Sequence, residues 1–371
     1  MKKNIIAFAV AAALVAPAAA MANTTLYGHF HVSYDFLSGD NAANTTGGIS
    51  SNSSRIGIKG SEKINDGLSV IYQYETTIDA GTNGTKYDNK TGLYNKAGYG
   101  NGGLGGERNT FIGVTGGFGT AIVGRHDTPM KMMGRKYDLF NETIGDSRDI
   151  ISGPYANWDL RTPQTIAYAT PDLMGFKATL AYANNTNTAA PAGVYGDQFK
   201  TYSASASYSI AGFGLDAAYE QHKNNTTVAP ANSSQDAYRL GVNYKIAGFK
   251  VMGLYQDIKN VAYTSDSVKS YGAGAAYSFG ANTIKAQYYK ADSYGSTGSN
   301  GGDLLAVGYD YKMSKQTSVY AMYAQTKNDT NGMYTIMGGG HDSAYPQGPA
   351  FSNNTVDAKS SAVSVGIVHN F

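Results

Sequence analysis

Apolar and polar residues alternate one by one along almost the whole chain once a short N-terminal leader has passed. From Leu26 to Phe36 one face reads Leu26, Gly28, Phe30, Val32, Tyr34 and Phe36, and the other Tyr27, His29, His31, Ser33 and Asp35. Near the far end Val363, Val365, Ile367, His369 and Phe371 interleave with Ser364, Gly366, Val368 and Asn370. Side chains on a strand point to opposite faces with period two, so each stretch makes one oily side and one wet side. A soluble sandwich shows the same alternation. The choice between the two rests on the leader, the aromatic content and the loops.

The leader has Lys2 and Lys3, an apolar run from Ile5 to Val15, Pro17, and a small-x-small cleavage pattern at Ala20-Met21-Ala22. That layout is a signal peptide over residues 1–22, with the barrel domain expected over 23–371. Its apolar core is shorter than the roughly 20 residues a membrane-spanning helix needs. There is no cysteine in the chain, which excludes disulfides, thiolate metal sites and a cysteine nucleophile. The formal net charge of +2 is carried by Lys2 and Lys3, so the remainder is neutral. A neutral balance argues against nucleic acid as a partner, which draws on a basic excess. Charged residues make up 15%, against about 25% in soluble domains. Tyr numbers 30, enough for aromatic girdles at both interfaces of a membrane.

Connections between the alternating segments come in two sizes, and they take turns. Short ones carry turn residues: Asn65-Asp66-Gly67, Gly116 to Gly119, Pro171 to Gly175, Ala211-Gly212, Ala247-Gly248, Gly280-Ala281-Asn282 and Met313-Ser314-Lys315. Long ones, rich in Asn, Gly, Ser and Thr, cover roughly 37–52, 79–107, 126–162, 184–201, 223–235, 260–269, 292–302 and 328–359. Seven turns and eight loops give sixteen strands with both termini on the short-turn side. Short periplasmic turns, long outer loops and an even strand number are the pattern of an outer-membrane barrel. A sandwich has no reason to sort its connections this way. The expected fold is all-β, a 16-stranded antiparallel transmembrane barrel.

The middle strands repeat the sorting. Phe176, Ala178, Leu180 and Tyr182 would face lipid, as would Tyr238, Leu240, Val242 and Tyr244, and Leu305, Val307, Tyr309 and Tyr311. Lys177, Arg239, Lys245, Asp310 and Lys312 all fall on the opposite face. A charge facing lipid at the midplane costs about 2–4 kcal/mol, so the inner face must be wet. A barrel this wide leaves an aqueous channel. The expected function is passive diffusion of small hydrophilic solutes and ions, without a cofactor.

The third long loop, about 126–162, is unlike the others. It mixes acids with Met130, Met132, Met133, Phe140, Ile144, Ile150, Ile151 and Trp158. Apolar groups in a loop need a surface to pack on, and the inner barrel wall offers one. Its acids Asp138, Glu142, Asp146 and Asp149 would then project into the lumen, facing Arg55 and Lys59 of the second strand, Arg108 of the fourth, Arg125 of the fifth and Arg161 entering the sixth. Opposed rows of charge across a narrow wet gap orient dipolar solutes and penalise apolar ones.

The segment Ser54-Arg55-Ile56-Gly57-Ile58-Lys59-Gly60-Ser61-Glu62 resembles the second strand of Gram-negative general-diffusion porins. Gly124-Arg125, Arg161 before Pro163 to Tyr168, and the terminal Phe371 extend the resemblance over the mature chain. It implies a homotrimer in outer-membrane lipid and lipopolysaccharide, with the third loop folded inward as an eyelet. It also implies that Arg55, Lys59, Arg108, Arg125 and Arg161 form the basic wall, and that Phe371 is read by the barrel-assembly machinery. Enteric members carry Pro-Glu-Phe-Gly-Gly in the eyelet, where this chain has Leu139 to Asp146. The loop acids therefore do not align residue by residue.

Other signals carry less. Gly98 to Gly103 matches GxGxxG, but no helix pattern follows it. His29 and His31 share a strand face, but no neighbouring carboxylate or Cys spacing marks a site, so they read as inner-face polar residues and no metal is expected. No G-x-S-x-G or H-E-x-x-H occurs, and an enzyme is not expected. A substrate-specific porin, or an adhesin using the 328–359 loop, are the alternatives.

Overall fold

The computed structural model describes residues 23–39, 46–78, 86–88, 93–95, 104–152, 158–185, 199–224, 234–261, 266–295, 298–336 and 359–371. The leader, Gly98 to Gly103 and most of the 328–359 loop lie outside the described residues.

Sixteen staves close into one antiparallel cylinder. They are β1 (Thr24–Gly39), β2 in two pieces (Thr46–Ser51 and Arg55–Asn65), β3 (Leu68–Ile78), β4 (Leu104–Gly116) and β5 (Gly119–Asp127). After the third loop come β6 (Arg161–Ala169), β7 (Phe176–Asn185), β8 (Phe199–Ile210), β9 (Phe213–Asn224) and β10 (Ser234–Ile246). The wall finishes with β11 (Phe249–Lys259), β12 (Ser267–Phe279), β13 (Asn282–Ala291), β14 (Gly302–Lys312), β15 (Thr317–Asn328) and β16 (Lys359–Asn370). The short connections predicted from turn chemistry all join neighbours here. Closure is between β1 and β16, with Val32 opposite Ile367. Beyond the last ladder residue, Gly28 N–H donates to Phe371 O at 3.0 Å and Phe371 N–H returns to Gly28 O at 3.1 Å. Full closure leaves no edge, which a bilayer demands.

The alternation is expressed as two surfaces. Leu180, Leu240, Val242, Val307 and Ile367 are exposed on the outside, whereas His31, Ser33, Asp35, Arg239 and Ser364 are buried inside. Aromatic residues fall into two rings. Tyr182 pairs with Tyr202 and Tyr219 with Tyr238 toward the long loops, while Phe249 stacks on Tyr277 beside the short turns. On β10 the two levels are Tyr238 and Tyr244, which puts them about 20 Å apart along the strand at roughly 3.3 Å per residue. Leu240 and Val242 fill the band between them.

The third loop folds into the cylinder. Thr128 Oγ1 accepts from Lys131 N–H and Pro129 takes the first position of helix α1 (Pro129–Lys136), a cap and start residue suited to a helix N-terminus. A shorter helix α2 (Arg148–Ile151) follows. Helix α1 lies against β8 and β9, and α2 against β13 and β14. Met130, Met133, Tyr137, Phe140, Ile144, Ile150 and Ile151 pack with Met252, Leu254, Tyr289, Leu304, Ala306 and Met322 of the wall. Small wall residues make the hollow. A Cβ on Gly241 would lie 2.4 Å from the Tyr137 ring, and one on Gly308 would lie 2.8 Å from Phe140 Cε1.

Candidate functional site: the constriction

With the loop on the β8–β15 side, its inner edge faces the wall from β1 to β6, and charged side chains meet across that gap. Arg55, where β2 resumes after Asn52–Ser54, donates from Nη1 to both Glu142 oxygens at 3.1 Å. Its Nε lies 3.9 Å from Glu75 on β3. Glu75 also takes hydrogen bonds from Arg108 Nε at 2.5 Å and Tyr27 O–H at 2.9 Å. A bulge aims Arg108 there: Tyr74 pairs with Thr110 but Thr76 with Glu107, so β4 holds one extra residue.

A second cluster gathers around Asp127 at the end of β5. Lys131 Nζ, Arg135 Nη1 and Arg161 Nε approach its carboxylate at 3.1, 3.0 and 3.0 Å. Lys131 and Arg135 are one helical turn apart on α1, so both reach the same anion. Burial pushes the Lys131 ammonium down to about 8 despite Asp127 beside it.

The predicted residues thus separate. Arg55, Arg108 and Arg161 enter these clusters. Lys59 stays exposed, 5.0 Å from the Tyr27 ring centroid. Arg125 sits at the irregularity between Gly124 and His126, where the alternation that would assign it a face is broken. Among the loop acids Glu142 meets the wall. Burial alone would raise its pKa, but His29 and Arg55 more than offset that and hold it below the usual carboxylate range. Asp138 is enclosed, accepting from Phe140 N–H, Ser147 N–H and Gln287 Nε2. Burial, then the Asp146 charge, push it up to about 7. The expectation that Asp146 projects into the lumen meets a different geometry: it is fully buried and clasped by Arg148, whose Nε donates at 2.8 Å. Asp149 is buried in the first turn of α2. The loop's own Arg148 covers Asp146, while neutral amide donors cover Asp138.

Several residues that matter here were not singled out from sequence. Glu75 has no local signature. Arg239, buried on β10, donates to Asp159 Oδ1 at 3.2 Å, Asp159 Oδ2 at 3.3 Å and Met130 O at 3.0 Å. Gln256 Nε2 donates to Ile151 O and Gln287 Nε2 to Gly145 O. Arg239, Gln256 and Gln287 anchor the loop; the Thr128-Pro129 start was the one readable sign that part of it is helical. Among the described residues, one set of side chains could hold a metal ion: His29, His31 and Glu142.

The closed sixteen-stranded cylinder is matched by known proteins. The family model described as Gram-negative porin covers residues 7–331. Major outer membrane protein P.IB of Neisseria meningitidis serogroup B is 30% identical, over 91% of this chain and 98% of that protein. Outer membrane porin protein 32 of Delftia acidovorans is 28% identical over 88% and 90%. The solved anion-selective porin from Comamonas acidovorans superposes with a TM-score of 0.73 at 23% identity, covering 94% of this chain and 99% of that one. The protein forms a passive-diffusion channel in the outer membrane, and its chain belongs to the Gram-negative porin family.

Proposed function

We propose that this channel passes small hydrophilic solutes with a preference for anions, set at the gap between the third loop and the β1–β6 wall. The observation that carries it is an asymmetry of access. Side chains of Arg55, Arg135 and Arg161 keep 22%, 29% and 15% of their surface exposed, while Glu142, Glu75 and Asp127 keep 5%, 9% and 2%. A passing ion therefore meets guanidinium groups first, with carboxylates behind them. Cations that line a low-dielectric constriction raise the local concentration of anions.

In this reading Arg55, Arg108 and Arg161 form the basic wall with Arg135 opposite, and Glu142 positions Arg55. Lys59 and Arg125 add to the field near the gap. Asp138, Asp146 and Asp149 shape the loop rather than contact solutes. Residues 1–22 are removed on export, the mature chain assembles as a homotrimer among outer-membrane lipid and lipopolysaccharide, and Phe371 is read by the assembly machinery. The family resemblance supports those points. The chain acts as a channel and not as an enzyme.

Liposome swelling tests the preference. Purified protein should admit a sugar acid faster than the neutral sugar, and the neutral sugar faster than an amino sugar of similar size. Equal rates, or the reverse order, would overturn the reading.

A further inference from the structure

No carboxylate spacing in the sequence marks a metal site at the two histidines on β1, but the fold brings Glu142 to them from the loop tip. His29 Nε2 lies 3.4 Å from Glu142 Oε2. One ligand atom from each of His29, His31 and Glu142 falls within 4.8 Å of the others. We infer that His29, His31 and Glu142 form a binding site for a divalent transition-metal ion of the zinc class, joining the tip of the third loop to β1.

The His29 ring is set up for ligation. Its Nδ1 lies 2.7 Å from Asn370 Oδ1, and that oxygen only accepts, so the proton sits on Nδ1. Nε2 is buried with no hydrogen-bond partner, and in the neutral ring, the form a metal ion binds, it is the nitrogen that offers the lone pair. An imidazole that donates its other N–H to a carbonyl oxygen is the usual form of a metal ligand. The 3.4 Å separation is long for a hydrogen bond, yet it matches the edge of a tetrahedron with metal–ligand bonds of about 2.0–2.1 Å, roughly 3.3 Å. Tyr320 O–H, 2.9 Å from His31 Nε2, fixes the second ring. Water from the lumen would complete the coordination.

Glu142 can serve both the ion and Arg55. Its two oxygens offer about four lone-pair positions, of which Arg55 uses one per oxygen. The Arg55 and Arg108 charges beside the site face Glu142 and Glu75 in return. The loop also holds Glu142 in place at a cost. Its φ of 62° is in the left-handed region, which disfavours a non-glycine residue. The Glu142 N–H donates to Asp146 Oδ2 at 2.7 Å and fixes that conformation. Two imidazoles with one carboxylate suit zinc and its neighbours better than magnesium or calcium, which take oxygen ligands.

The test is a titration of folded, detergent-purified full-length mature protein with zinc chloride alone, read by calorimetry and by metal analysis after dialysis. The expected result is one zinc per chain, not displaced by tenfold magnesium, with affinity falling at least tenfold in His29→Gln, His31→Gln and Glu142→Gln. His369→Gln, a histidine paired with Phe30 on the opposite face of the wall from the site, should bind as the parent does. Heat-modifiable gel migration checks that each variant is folded, and three separate ligand deletions keep the test alive if one fails to fold. No zinc retained, zinc displaced equally well by magnesium, or unchanged affinity in the folded ligand variants would overturn the site. None of these outcomes depends on ion preference, so the transport reading stands or falls separately.

Discussion

Arg55 on the barrel wall holds Glu142 at the loop tip through one Nη1 group, 3.1 Å from both carboxylate oxygens. The pair ties a loop anchored on the far wall to the near one, and it limits how freely Arg55 faces the channel. A charge-assisted bond of this kind contributes on the order of 1–2 kcal/mol once lumen water is allowed for. Glu142→Gln should free the Arg55 guanidinium, raising anion preference and adding rapid current noise as the loop tip loosens. Single-channel recording checks both; unchanged selectivity and noise would contradict the role.

Arg239 and Asp159 anchor the other end of the loop, and both are buried. Arg239→Met leaves the Asp159 charge without its fork, a loss of about 3–5 kcal/mol for a buried pair. Hydrogen exchange should show protection lost over α1 while the wall strands keep theirs. Arg239→Lys should recover only part of it, since an ammonium cannot reproduce the paired geometry.

Asp138 gives a pH dependence. Its carboxyl titrates near 3.8 unfolded and is pushed up to about 7 in the folded loop by burial and by Asp146. A raised pKa means the folded state binds the proton more tightly. Its contribution is therefore complete below about pH 4 and is lost as pH rises through about 7. Loop protection in wild type should fall across that window relative to Asp138→Asn, which has no proton to lose. A constant difference between the two from pH 4 to 8 would contradict this.

The two faces of the wall should answer oppositely to one charge. Leu240→Lys puts an ammonium among acyl chains and should cost about 2–4 kcal/mol. Ser207→Lys faces the lumen opposite Asp216 and should stay within about 0.5 kcal/mol of the parent. Urea unfolding in phospholipid vesicles measures the difference.

Much of this architecture was legible because a two-residue period carries its own facing information. Leu240 and Arg239 are adjacent in the chain and opposite in environment, and alternation alone separates them. Turn residues likewise fix where strands reverse. The constriction was less legible because it depends on breaks in that period and on distant partners. Arg108 points inward through a bulge that no single-strand pattern announces. The loop acids looked like a lumen surface, but Arg148 covers Asp146 and Gln287 covers Asp138. Glu75 and Glu142 meet Arg55 from strands and loops far apart in sequence. For the same reason His29 and His31 looked isolated until folding placed Glu142 beside them.

Whether the accessible charge at the gap between the third loop and the β1–β6 wall is positive can be read from the zero-current potential of the wild-type channel in a planar bilayer under a tenfold potassium chloride gradient. The expected potential has the sign set by chloride crossing faster than potassium, and it shrinks toward zero in Arg135→Gln/Arg161→Gln. A potential of the opposite sign, or one those substitutions leave unchanged, would contradict it.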